Sequence, residues 1–122
     1  MEELPKFKFE DLQVYQKSLD FVDLAYEVSK KFPNSELYNL TSQFKRAAVS
    51  VSLNIAEGAG DTDPQFNRFL QIASASIKEC VVCSTIAKRQ KFISEQENLD
   101  NRRKLAELSK MISSLKKYLR KS

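Results

Sequence analysis

Apolar residues recur along the chain at spacings of three and four, and a few strong breakers divide them into four runs. That period predicts four amphipathic helices. The first covers about residues 9–32 and carries two adjacent stripes. Leu12, Tyr15, Leu19, Val22 and Tyr26 form one; Val14, Ser18, Phe21, Ala25, Val28 and Phe32 form the other. Together they make an apolar face wider than one neighbouring helix requires. Pro33 stops this helix, because proline disfavours helical backbone in the residue before it. The second helix is expected over 36–58, with Ser35 as N-cap and Glu36 in the dipole-favoured first turn. Its stripe is Leu37, Leu40, Phe44, Ala47, Val51 and Ile55, and Gly58 and Gly60 end it with left-handed backbone.

The third helix is expected over 64–90, opened by Asp63 as N-cap and Pro64 at the first helical position. Phe66, Phe69, Leu70, Ala73, Ile77, Cys80, Ser84 and Ala87 mark its inner face. The fourth spans about 95–120, announced by Ser94 and Glu97 as a capping box, with Leu105, Leu108, Ile112, Leu115 and Leu119 as core positions. Connectors this short make consecutive helices antiparallel neighbours, so the pattern predicts an all-α, up-down-up-down four-helix bundle. The whole is one domain over 9–122, preceded by a short extension over 1–8 that Phe7 and Phe9 would tie down.

Composition sharpens this picture mainly by exclusion. The 122 residues suffice for one domain and one core at roughly 100–200 residues per domain. Two glycines and three prolines are too few for the frequent turns of a sandwich or barrel. With no histidine, the usual general base and the commonest transition-metal ligand are missing. Cys80 and Cys83 are the only cysteines; two thiols fall short of a structural zinc site, and their place inside a helix does not suit a redox motif. They read as buried, reduced thiols. No catalytic centre, metal or cofactor is therefore expected. The pattern shows no membrane span and the acidic start Met1-Glu2-Glu3-Leu4-Pro5 no signal peptide, so a cytoplasmic protein is expected.

Helix two carries a second, polar stripe. Ser50, Asn54 and Glu57 fall at i, i+4 and i+7, preceded by Gln43 and Arg46 and followed by Gly58. A carboxylate in the last turn faces the negative end of the helix dipole, so something must offset its placement. Polar contacts that fix register would do so; a binding site at the corner of helices two and three would too. Ser76 and Glu79 of helix three could meet this stripe, and a buried Arg46–glutamate pair would satisfy both charges.

Several segments resemble one bacterial family. They are Phe9-Glu10-Asp11-Leu12 with Tyr15-Gln16-Lys17-Ser18; Phe32-Pro33 with Glu36-Leu37-Tyr38-Asn39-Leu40; Gln43-Phe44-Lys45-Arg46-Ala47-Ala48 with Asn54-Ile55-Ala56-Glu57-Gly58; and Phe66-Asn67-Arg68-Phe69-Leu70-Gln71-Ile72-Ala73 with Ser76 and Glu79. In these the chain is similar to the four-helix-bundle proteins of 23S ribosomal RNA intervening sequences. The likeness covers roughly residues 9–120, and the Asn-Ile-Ala-Glu-Gly segment is its strongest part. Ala75 stands where that family often has glycine, Val14-Tyr15 replaces a common aromatic pairing, and helix four matches only in pattern. The resemblance implies a left-handed bundle assembled as a ring-shaped homopentamer. It also implies kinship with the accessory variability protein of diversity-generating retroelements, which binds nucleic acid and a reverse transcriptase through a basic surface.

Charge leaves two readings, a polyanion-binding face or a merely solvated helix surface. Residues 1–61 carry seven basic and ten acidic side chains, net −3, whereas residues 62–122 carry thirteen and six, net +7. Arg102, Arg103, Lys110, Lys117 and Lys121 can share the side of helix four opposite its leucines, with Lys88, Arg89 and Lys91 near its start. A gathered cationic face suits phosphate contacts, and no base-reading motif accompanies it. The expected function is a non-catalytic homo-oligomer that binds structured RNA or DNA weakly by sequence. The alternative is a scaffold whose basic face meets an acidic protein partner; the resemblance adds a reverse transcriptase or other protein as a possible partner.

Overall fold

The structure is a computed structural model and describes residues 3–121. Met1 and Glu2 of the extension and Ser122 at the end of the bundle lie outside the described residues. Four helices follow one another: α1 (Gln13–Ser29), α2 (Leu40–Gly58), α3 (Asp63–Arg89) and α4 (Glu95–Lys121). Each packs on its neighbours in sequence and α4 packs back on α1, while the backbones of α1 and α3, and of α2 and α4, stay apart on the diagonals. That is the four-helix bundle the apolar spacing predicts, with one core along its axis.

The helix ends differ from the expectation in ways that local chemistry explains. A 3-10 turn at Lys8–Asp11 precedes α1, with the Glu10 carboxylate accepting from the Phe7 amide at 2.9 Å, so α1 begins at Gln13 rather than near Phe9. Phe9 packs edge-on against Tyr15, with ring centroids 5.0 Å apart, and stacks on Phe7 at 6.1 Å. Ser35 does not cap the second helix. The chain after Pro33 makes another 3-10 turn, Asn34–Glu36, and α2 starts at Leu40. Glu36 holds that junction, accepting from the Asn39 side chain at 3.0 Å and from the Leu40 amide at 3.4 Å. Leu37 is consequently half exposed instead of belonging to the core stripe. At α3 the cap shifts by one residue: Thr62 Oγ1 accepts from the Gln65 amide at 3.4 Å, and Asp63 is already helical. The Ser94–Glu97 capping box forms as written, with reciprocal bonds of 2.9 and 3.0 Å.

Of the two glycines, only Gly60 takes left-handed backbone, at φ +88°. Gly58 stays helical and serves a different need. A Cβ there would lie 2.7 Å from Phe66 Cδ1 and 2.8 Å from Phe69 Cβ, so only glycine lets α3 start this close to the end of α2.

The core is built from Phe21, Phe44, Val51, Ile55, Leu70, Ile77, Leu105, Leu108 and Ile112, with Phe44 packed against both Phe21 and Phe32. Of the two stripes on α1, the one through Val14, Ser18, Phe21, Ala25 and Val28 is buried. Leu19 and Tyr26 of the other remain more than a third exposed. Two buried serines, Ser18 and Ser52, join α1 to α2 at 2.8 Å. The Lys31–Glu97 ion pair ties the end of α1 to the start of α4, and it holds the Glu97 carboxyl below the usual range. Contrary to the expectation, one helix, α3, is long and apolar enough to cross a membrane by length and composition alone. Its buried side supplies the bundle core, and its apolar surplus faces outward at Ile72, Val82 and Ile86.

Candidate nucleic-acid interface

The basic candidates fall along α4 because its sequence is one-sided. Asn101, Leu105, Leu108, Ile112 and Leu119 are buried on the core side, which turns Arg103, Lys110 and Lys117 to the opposite side at seven-residue intervals. Fourteen residues of helix make that row roughly 20 Å long. Lys121 continues it at the end of the helix. All four are exposed, and among the described residues none has an acidic partner. Arg102 lies on the flank toward α3 and donates to Thr85 Oγ1 at 3.1 Å.

The residues at the end of α3 are placed differently from one another. Lys88 is half buried and pairs with Glu95 at 3.4 Å, so its charge is partly met. Arg89 and Lys91 are exposed, the latter with φ +65° in the turn that closes onto Ala87. They sit near the start of α4, while Lys117 and Lys121 lie toward its other end, so the candidates form a long row and not a compact patch.

Two clefts beside the row bring in cations that the sequence did not single out. One, of about 410 Å³, puts Lys78 of α3 beside Arg102 and Arg103, with Val81, Leu99 and Ala106 between them. The other, of about 500 Å³, gathers Asn67, Arg68, Gln71 and Arg120 at the start of α3. The antiparallel register was the available signal. Asn67 donates to the Lys116 carbonyl at 3.2 Å and Arg102 reaches Thr85, so Arg68 must lie opposite the last turns of α4.

The polar stripe of α2 divides in two. Ser76 donates to Ser50 Oγ at 2.9 Å, and Asn54 Nδ2 donates to Ser50 Oγ at 3.1 Å and to the Ser50 carbonyl at 2.8 Å. Only the Ser76–Ser50 bond crosses from α3 to α2 and fixes their register; the two from Asn54 stay within α2 and hold the Ser50 hydroxyl in place. Gln43, Arg46 and Glu79 are exposed on the rim of an open groove of about 410 Å³ floored by Ala47, Ser50 and Ser76. The buried Arg46–glutamate pair does not exist: both Arg46 and Glu79 reach solvent and form no ion pair within the described residues. Glu57 is exposed without a partner there, and nothing in the protomer offsets its place at the helix C-terminus.

Asn101 was missed, although it lies four residues before Leu105 on the same stripe. It is fully buried, its Nδ2 donates to Ser84 Oγ at 3.0 Å, and Ser84 donates to Asn98 Oδ1 at 2.7 Å. Its Oδ1 finds no partner among the described residues. The two cysteines are free and buried. Burial, then Cys83 and Glu79, pushes the Cys80 thiol up to about 12, and burial followed by Glu79 raises Cys83 as well, so both are poor nucleophiles. Among the described residues, no cluster of histidine, cysteine or carboxylate side chains could hold a metal.

A family model described as 23S rRNA-intervening sequence protein matches residues 10–114. The chain belongs to that family. Intervening-sequence proteins thus supply its fold and its kin. Solved structures are similar too, among them a protein of unknown function from the S23 ribosomal protein family of Bacteroides thetaiotaomicron VPI-5482. The two share 23 % identity and superpose with a TM-score of 0.78, covering 85 % of this chain and 98 % of that one. The likeness extends the bundle to that protein and says nothing of activity. No curated protein matches.

Proposed function

We propose that this intervening-sequence family member is a non-catalytic, cytoplasmic helical bundle that associates with copies of itself. In this reading it binds structured nucleic acid through the outer side of α4. The observation that carries the reading is the row Arg103, Lys110 and Lys117, three exposed cations on one line without acidic partners among the described residues. A duplex presents one phosphate charge per roughly 1.7 Å of axis, so a straight cationic row can engage several phosphates without reading bases. A homopentamer, which the family resemblance implies, would repeat the row five times and turn weak contacts into useful avidity. The two free, buried thiols suit a reducing compartment.

Filter binding with a structured RNA, from about 50 to about 300 mM salt, tests this. Affinity should fall steeply with salt, and Arg103→Gln, Lys110→Gln and Lys117→Gln together should flatten the log–log slope by about 2–3. Absence of binding at low salt removes the nucleic-acid reading. Capture of an acidic protein by the same face, with RNA ignored, would point to the scaffold instead.

A further inference from the structure

We infer that the groove between α1 and α4 binds a short aliphatic polyamine, one of whose ammonium groups donates to Asn101 Oδ1. The site is separate from the cationic row and goes beyond the function proposed above.

Asn101 is the anomaly that points there. It stands on the leucine stripe of α4, four residues before Leu105, and is fully buried. Its Nδ2 donates to Ser84 Oγ of α3 at 3.0 Å, and the Ser84 hydroxyl gives its own proton to Asn98 Oδ1 at 2.7 Å. Ser84 therefore has no proton left for Asn101 Oδ1, which finds no partner among the described residues. A buried acceptor without a donor costs more than a typical hydrogen bond contributes, so a core asparagine of this kind calls for one. With the amide nitrogen held by α3, the oxygen is turned away from that helix. On the side of α1, Asn101 lines a groove of about 300 Å³ together with Leu24, Val28 and Lys31.

The groove selects the donor by its chemistry. Leu24 and Val28 make it apolar at the bottom, and Glu27, Glu97 and Asp100 set carboxylates around it. Glu97 is taken by Lys31, and Glu27 meets Lys30 only through an exposed pair at 3.1 Å. Asp100 accepts from the Gln96 amide at 2.9 Å and has no cationic partner among the described residues. Asp20 and Asp23, both exposed, continue the line of Glu27 along α1. Lys104 lies one turn beyond Asp100 on α4, and the Lys17–Glu107 pair at 3.7 Å balances itself. Apart from that pair, five carboxylates face three lysines, so this side is negative in a chain of net charge +4.

Three requirements meet here: an N–H or O–H donor for a buried carbonyl, positive charge for the carboxylates, and a hydrocarbon stem for Leu24 and Val28. Water supplies only the first. A metal ion supplies only the second, and among the described residues no group of side chains could hold one. A protonated di- or triamine supplies all three. One ammonium bonds Asn101 Oδ1 and Asp100, the methylenes lie over Leu24 and Val28, and the next ammonium follows Glu27 and Asp23.

Isothermal titration calorimetry of the intact chain with putrescine and spermidine, without RNA and at fixed ionic strength, tests the site. Binding should saturate at one amine per chain. Asp100→Asn with Glu27→Gln, both at exposed positions, should weaken it about ten-fold or more. Asn101→Leu removes the buried acceptor and should weaken it by a similar factor. A bis-quaternary diammonium of putrescine's length keeps the charge and the stem but has no N–H, and it should bind about ten-fold or more weakly than putrescine. That comparison uses the unaltered chain and stands even where Asn101→Leu does not fold. Absence of saturable binding, equal affinity for the quaternary analogue, or unchanged affinity in the Asp100→Asn, Glu27→Gln chain overturns the assignment. Displacement of putrescine by magnesium at matched ionic strength would mark a diffuse counter-ion layer and overturn it as well. RNA takes no part in these titrations, so their failure leaves the proposed function untouched.

Discussion

α3 and α4 are both 27 residues long and run side by side, yet they treat their outer sides in opposite ways. α4 gives most of its apolar residues to the core, leaving Leu99 and Tyr118 exposed on its flanks, and turns Arg103, Lys110 and Lys117 to solvent. α3 buries Phe66, Leu70, Ile77 and Cys80, then places Ile72, Val82 and Ile86 on the outside as well. The contrast teaches that outward composition separates what a helix does within its chain from what it does beyond it. A helix whose outer side is mainly charged has little left to cover once the protomer folds. A helix apolar on two sides has a second surface still to cover.

The largest effect should separate inside from outside on α4. Leu108→Ala opens a cavity at a fully buried site and should lower the unfolding free energy by about 2–5 kcal/mol in urea titrations. Lys110→Ala, two residues on but exposed, should stay within about 0.5 kcal/mol while weakening RNA binding. Equal losses at both positions would dissolve the distinction. On the α3 side, Gly58→Ala must push Phe66 and Phe69 away and should destabilise by about 1–3 kcal/mol, read as a lowered Tm.

A smaller effect tests the inner side of α3 through pH. Cys80 titrates near 12 in the folded chain against 9.0 unperturbed, so folding favours the neutral thiol. Its contribution is complete below pH 9.0 and is lost as pH climbs toward 12. Urea midpoints should therefore decline over that window, and Cys80→Ala should show a shallower decline.

The number of helices, their order and the inner stripes of α2, α3 and α4 were legible because the three-four period is imposed by the core itself. The Ser94–Glu97 box was legible because it is local chemistry. The start of α2 was not: Leu37 continues the apolar period, but Glu36 carries the cap of the next helix, and periodicity does not register that. On α1, two stripes of similar hydropathy competed, and only packing against Phe44 and Ser52 decided for the one through Phe21 and Ser18. The outward stripe of α3 escaped notice for the same reason, since it is interleaved with the inner one. Among the site residues, the α4 row followed from helical geometry. The contributions of Lys78, Arg68 and Arg120 required the register between two helices.

On the proposed function, this chain does not finish its own burial: copies of it cover the apolar residues left outside the bundle, and α4 is left to the partner. Light scattering of the purified intact chain at micromolar concentration tests it most directly. A mass several times 14.0 kDa, holding steady on dilution, is the predicted result. A stable particle of a single chain, with Ile72, Val82 and Ile86 left in water, would contradict it.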